Sequence, residues 1–212
     1  MKGGITMRFK TGTTLLFILM LGAVPLLTPD FAGAWEGGEE EQPPCDFLTG
    51  GGWILPPWDS GSVKANFAIG GGCKHGSPTW GHLNYLDHGT TIKPATAPTP
   101  FHVHWTSIEA YVFIEDLGPD PKTKQPRGTR EVCGTATTND PAHPVVNFRV
   151  RVTDNGEPGT RDTYWMHLSV GGAIFYDTGN NHLGGGGPGG GNIQLHKPNP
   201  STTGSFNSCP YP

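Results

Sequence analysis

The chain has 212 residues, 33 of them Gly and 21 Pro, with 34 % hydrophobic, 10 % aromatic and only 15 % charged residues. Disordered chains are rich in charge and poor in aromatics, so this composition predicts a folded, turn-rich domain and excludes helical bundles and coiled coils. With 14 basic against 18 acidic residues there is no cationic excess, which argues against a nucleic-acid partner.

Arg8 and Lys10 precede an apolar run from Thr13 to about Leu27, and Ala32-Gly33-Ala34 supplies small residues for a signal peptidase. This pattern predicts a secretory signal peptide over 1–34, cleaved before Trp35. The apolar run is interrupted by Gly22 and Pro25 and falls short of a membrane span; nothing after cleavage reads as one. The expected location is secreted, either extracellular or periplasmic.

Residues 35–45 form an acidic, Pro-containing leader, residues 46–198 the domain, and residues 199–212 a C-terminal tail tied down by a disulfide. Four cysteines follow the signal: Cys45, Cys73, Cys133 and Cys209. An even count in an exported chain predicts two disulfides with three alternative pairings. Cys45–Cys209 with Cys73–Cys133 is the expected one, since the outer pair would staple two loose termini. No two Cys lie close enough for a zinc ribbon.

The predicted strands, in chain order, are Phe47–Leu55, Val63–Ile69, Trp80–Asp87, Phe101–Glu115, Glu131–Thr137, Val146–Val152, Thr163–Val170, Ala173–Tyr176 and Asn192–Lys197. The clearest is Val146–Val152, where Val146, Phe148, Val150 and Val152 alternate with Asn147, Arg149 and Arg151, the period of a half-buried strand. It pairs by expectation with Thr163–Val170 across an Asn-Gly-containing loop. Phe101–Glu115 is long enough to predict a bulge near Trp105–Ser107. Gly118–Gly128 reads as an exposed loop and Gly184–Gly191 as a flexible or tightly turned one. About nine strands and no helix predict an all-β fold, an antiparallel β-sandwich or jelly roll stapled by disulfides.

Several residue sets carry chemistry. Gly184, Gly186 and Gly189 match G-x-G-x-x-G formally, but no helix follows; Gly50-Gly51-Gly52 lacks the Lys and helix of a P-loop. Of nine His, His75, His82, His88, His102 and His104 cluster in sequence. His102 and His104 share a strand face, and pairing with the strand of His82 and His88 would assemble a Zn²⁺ or Cu²⁺ site; the alternative is His bonded to backbone at strand ends. Asp154, Asn155, Glu157 and Asp162 put four oxygen-bearing side chains in one loop, a Ca²⁺ set or else a turn bonding its own backbone. Asp87, Glu109, Glu115, Asp116 and Asp177 are carboxylates without a readable spacing, so catalysis has no support. Trp53, Trp58, Trp80, Trp105 and Trp165 are candidates for a sugar-stacking platform, and alternation turns Trp165 outward beside His167.

Thr49-Gly50-Gly51-Gly52-Trp53-Ile54, Lys64-Ala65-Asn66-Phe67, Gly81-His82-Leu83-Asn84-Tyr85-Leu86-Asp87-His88 and Val103-His104-Trp105-Thr106-Ser107-Ile108 have a family likeness. So do Asp154-Asn155-Gly156-Glu157-Pro158-Gly159 and Gly190-Gly191-Asn192-Ile193-Gln194-Leu195-His196. Together they resemble an uncharacterised family of exported bacterial proteins similar to the post-COAP-1 domain, found beside choice-of-anchor modules. The resemblance spans about residues 46–197 and implies a secreted all-β module with no known activity, here expected without the anchor module or a sorting segment. The expected role is a non-catalytic binding or structural module in adhesion, matrix or filament assembly, its partner being another copy or an extracellular glycan or protein. A metal-dependent enzyme built on the His cluster and a carbohydrate-binding module are the alternatives.

Overall fold

The computed structural model describes residues 43–57, 63–74, 77–89 and 94–212; the expected signal peptide, most of the expected acidic leader, Trp58 and His75 lie outside them. The described chain is all-β and antiparallel. Ten strands follow in order: β1 (Phe47–Ile54), β2 (Ala65–Lys74), β3 (Ser77–Asp87), β4 (Phe101–Pro119), β5 (Pro126–Thr138), β6 (Val145–Asp154), β7 (Thr163–Val170), β8 (Ala173–Asp177), β9 (Asn181–His182) and β10 (Gly191–His196). The path of hydrogen-bonded neighbours runs β10-β1-β2-β3-β4-β5-β6-β7-β8, with β9 paired to β7.

Each strand from β1 to β8 thus pairs with its sequence neighbour, and the layering expected of a sandwich comes from one sheet curling over itself. Alternation drives the curl by making one face apolar. Phe67 and Ile69 on β2, Leu83 and Tyr85 on β3, and Phe148, Val150, Tyr164, Met166 and Leu168 on β6 and β7 are all buried on the inside. Phe67 stacks on Tyr164 with centroids 4.1 Å apart, so β2 lies against β7 through the core. Tyr85 and Tyr176 share a hydrogen bond of 2.8 Å, and the Tyr176 hydroxyl donates to Asp87 at 2.7 Å, so the buried polar tips are satisfied.

The curled sheet has two openings, each closed by side chains. β3 and β4 pair only from Asn84↔His104 to Asp87↔Phe101, and beyond His104 the edge of β4 is free of β3. The tail fills this gap: the Asn207 N–H donates to the Tyr111 carbonyl, the Tyr111 N–H to Asn207 Oδ1, and Phe206 stacks on Tyr111. The register of β4 against β5 shifts four times, first between Trp105 and Ser107 where the bulge is expected. The second opening lies between β10 and the end of β6, where two carboxylates stand in for a missing strand.

The disulfides correct the expected pairing. They are Cys45–Cys73 and Cys133–Cys209, each with Cα atoms 5.8 Å apart. Register is the reason: Phe47 lies opposite Gly72, so Cys45 and Cys73 meet just beyond the β1–β2 ladder. Cys209 is tied to the middle of β5, and the two ends of the domain are stapled to the sheet separately instead of to each other. Gly118–Gly128 is less of a loop than expected, because β4 and β5 continue as a ladder to Pro119↔Pro126 and only the intervening turn is free of it.

Candidate functional site

Pairing of β3 with β4, the condition for a histidine metal site, is met, and His82, His102 and His104 all fall on the outer face. The register nevertheless separates them. His104 lies opposite Asn84 and His102 opposite Leu86, while the His82 ring leans the other way, over Gly70 of β2. His102 Nε2 is 2.6 Å from Asn84 Oδ1, so the ring donates there and the amide is held. His88 follows the end of β3, its N–H bonded to the Lys64 carbonyl. The four imidazoles therefore do not form one coordination sphere. Among the described residues the only three ligand-type groups within reach of one ion are Glu131, Cys133 and Cys209, and both sulfurs are in the disulfide.

The loop carboxylates are engaged by backbone. Asp154 Oδ1 accepts from the Gly156 N–H and Oδ2 from the Leu195 N–H, both at 2.8 Å or less. Asp162 Oδ1 accepts from the Asn155 N–H at 2.9 Å and Oδ2 from the Ile193 N–H at 2.8 Å. Ile193 and Leu195 share a parity on β10, so their N–H groups point away from β1 along what would be an open sheet edge. Asp154 and Asp162 cap that edge, a device that also denies it to a foreign strand. Asn155 donates to the Arg161 carbonyl, and Glu157 accepts from Asn192 at 2.9 Å. The four do not converge on a Ca²⁺ position; the turn bonding its own backbone is the arrangement present. Burial raises the Asp162 carboxyl to about 6, with the charges of Asp154 and Glu157 adding and the two N–H donors opposing. Burial raises Asp154 as well.

Trp165 does face outward, but its surroundings are occupied. Its indole N–H donates to Asp177 Oδ1 at 2.8 Å, His167 meets it edge-on with centroids 4.6 Å apart, and the Arg151 guanidinium lies 5.4 Å from the ring centre. A recess of about 220 Å³ remains between Trp165, Arg151, Thr153 and Asn180. Next to it the tail straps the outer face of β5–β7: the Tyr211 carbonyl accepts from Arg149 at 3.3 Å, and the Pro212 carbonyl lies 2.8 Å from His167 Nε2. Glu131, 1 % exposed, is held by both Arg149 and Arg151.

A second depression lies on the other half of the sheet. A groove of about 450 Å³ crosses the outer face of β1, β2 and β3. Its wall is Trp53 with Gly189–Gly191, its floor Gly52 and Ala68, and its far side Asn84 and Leu86, with Asn66 on the near rung. The Trp53 N–H donates to the Gly189 carbonyl at 3.2 Å and Lys64 Nζ sits 4.0 Å from the ring centre, so the indole is fixed. The glycine loop is tightly turned: Gly184 and Gly185 adopt φ of 65° and 67°, and a Cβ on Gly52 would lie 2.2 Å from the Gly190 carbonyl oxygen. The glycine loop is thus a rigid rim and not a phosphate cradle. Sequence reasoning named Trp53 but missed Asn66, Ala68 and Asn84. Their signal was the outward parity of small and amide residues on two adjacent strands.

Among the described residues the candidate tryptophans do not form one platform. Trp80 sits at the other end of the β1–β2 ladder, edge-on to Phe47 beneath Lys74, and Trp165 is on the strapped half. No family model matches the chain, and neither the curated proteins nor the solved structures contain a match.

Proposed function

We propose that this protein is an exported binding module that engages its partner through the outer face of β1–β3 and catalyses no reaction. The groove beside Trp53 carries this reading: a pocket of this size, aromatic on one side and flanked by amides, has the make-up of a small-ligand site. The carboxylates that would serve hydrolysis are spent on structure, Asp87 on Tyr176 and Gly89 and Asp177 on Trp165 and Gly179. Two disulfides fit an oxidising milieu, and among the described residues no helix is long and apolar enough to cross a membrane. The resemblance to post-COAP-1 domains points to the same surroundings.

The test is saturable binding of the labelled, secreted protein to intact cells and envelope fragments of its own host. Binding is expected, and Ala68→Leu, which plugs the floor of the groove from an outward-facing position, should remove it. Absence of binding, or binding indifferent to the plug, would overturn the assignment of this face.

A second reading, self-assembly, is favoured by one observation. β8 ends the path of paired strands, and Val170 and Ile174 at its hairpin are 43 % and 50 % exposed. Concentration-dependent association abolished by Ile174→Lys would support it, and a monomer at all concentrations would dismiss it.

A further inference from the structure

The geometry points to a neutral saccharide as the ligand of the Trp53 groove, an assignment that rests on the binding-module reading and gives it a chemistry. A pyranose ring has an apolar face of C–H groups and a rim of hydroxyls that both donate and accept. The groove presents the complement of each. The Trp53 ring is an apolar plate locked by its own hydrogen bond and by Lys64, so little order is lost when a ligand packs on it. The floor is Ala68 and glycine, which lets a flat ring lie close to the backbone.

Asn66 and Asn84 are exposed amides beside that floor, Asn66 two residues from Ala68 on β2 and Asn84 opposite Ala68 on β3, and each pairs a carbonyl acceptor with an NH₂ donor. The bond from His102 to Asn84 Oδ1 takes up the acceptor end, leaving the NH₂ to present to ligand oxygens. Charge narrows the class further. No carboxylate and no guanidinium lines this groove, whereas the recess beside Trp165 has Arg151 in its wall. With no charged residue in its lining and the nearby Lys64 ammonium engaged on the indole, a site of amides and an aromatic suits hydroxyls better than carboxylates, phosphates or charged side chains. The volume of about 450 Å³ and the continuation of the polar rungs to His102 and His104 on β4 favour a short chain of sugar units over one.

The experiment is calorimetric titration of the full secreted protein with short neutral oligosaccharides of the hexose and N-acetylhexosamine series. At least one series should bind, and Ala68→Leu and Asn66→Ala should each weaken it by about tenfold or more, the usual cost of losing a central contact. Trp165→Phe should leave the affinity unchanged, and circular dichroism of every variant should match the parent. If no saccharide binds while host cells still take up the protein in a manner sensitive to Ala68→Leu, the groove serves another chemistry, such as a peptide, and the saccharide assignment falls alone. If cell binding is also absent, the assignment of the face falls with it.

Discussion

The two halves of the curled sheet treat their outer faces in opposite ways. On β5–β7 the outward positions Glu131, Cys133 and His167 are all buried, because Arg149, Arg151 and the C-terminal tail lie over them. On β1–β3 the outward positions Trp53, Asn66, Ala68, Asn84 and Leu86 are exposed or half-buried, and among the described residues a glycine rim and the Lys64 side chain flank them. The covered half spends its polar groups on one another, while the bare half holds Trp53 and Asn84 by one bond each and leaves its amides facing solvent. That difference separates the part of the surface that stabilises from the part available for recognition.

The sharpest way to break this division is to release the strap. Cys133→Ser with Cys209→Ser opens a loop of 76 residues' separation, against 28 for the Cys45–Cys73 pair. Loop entropy puts the costs at about 4.5 and about 3.5 kcal/mol respectively. Denaturant unfolding should show the strap variant to be the less stable, with groove affinity retained. A larger loss from the Cys45–Cys73 pair, or a groove that fails with the strap, would mean that the halves are not independent.

One buried ion pair joins them. Arg130 of β5 reaches Asp46, just before β1, at 2.7 Å, and both side chains are 4 % exposed or less. The same carboxylate accepts from the Tyr111 hydroxyl, and the guanidinium also donates to the carbonyls of Glu115 and Thr129. Arg130→Met strands Asp46 and should cost about 3–5 kcal/mol, with Asp46→Leu on top recovering part of it. A double variant no better than the single would show that the pair supplies stability and not only a link between the halves.

Next in size is the capped edge. Asp162→Ala orphans the N–H groups of Asn155 and Ile193, at about 1–3 kcal/mol for each buried donor. Faster hydrogen exchange confined to β10 would mark it as a local opening of the bare half. Exchange accelerated equally in β6 and β7 would show instead that the edge is no separate unit.

Much of the strand pattern was legible because alternation is local. Val145–Asp154 and Thr163–Val170 show it in their own residues, and a strand as long as β4 cannot stay flat, so its bulge at Trp105–Ser107 was readable too. Whatever depends on register was not. The disulfides follow from Phe47 facing Gly72, and the dispersal of the histidines from Asn84 facing His104; a single residue's slip would change both. β9, at two residues, is too short to show a period. The groove was hidden for the same reason, since Trp53 comes from β1, Asn84 from β3 and the rim from beyond β9. The loop Asp154–Asp162 was half legible: its oxygens and the local donors Asn155 and Gly156 were evident, but the other two donors, Ile193 and Leu195, sit on β10.

The smallest effect expected is a pH dependence at that capped edge, and its sign tests the clamp. The Asp162 carboxyl titrates at about 6 in the fold and near 3.8 when free. Below 3.8 both states hold the proton and the group is neutral in its effect. Between 3.8 and about 6 the unfolded chain releases the proton and the fold retains it, so this residue makes stability fall as pH rises, levelling off above 6. Asp154, also raised by burial, acts in the same direction. Asp120 acts oppositely: backbone donors from Thr123 and Lys122 hold it at about 2, so its contribution is lost as pH drops below 3.8. Asp162→Asn cannot titrate, and the stability difference between wild type and this variant isolates the one carboxyl. That difference should shrink from pH 4 to pH 6 and stay constant beyond. A difference that grows over this interval would mean that the Ile193 and Asn155 N–H groups outweigh burial, making the capped edge a charge-stabilised site rather than a desolvated one.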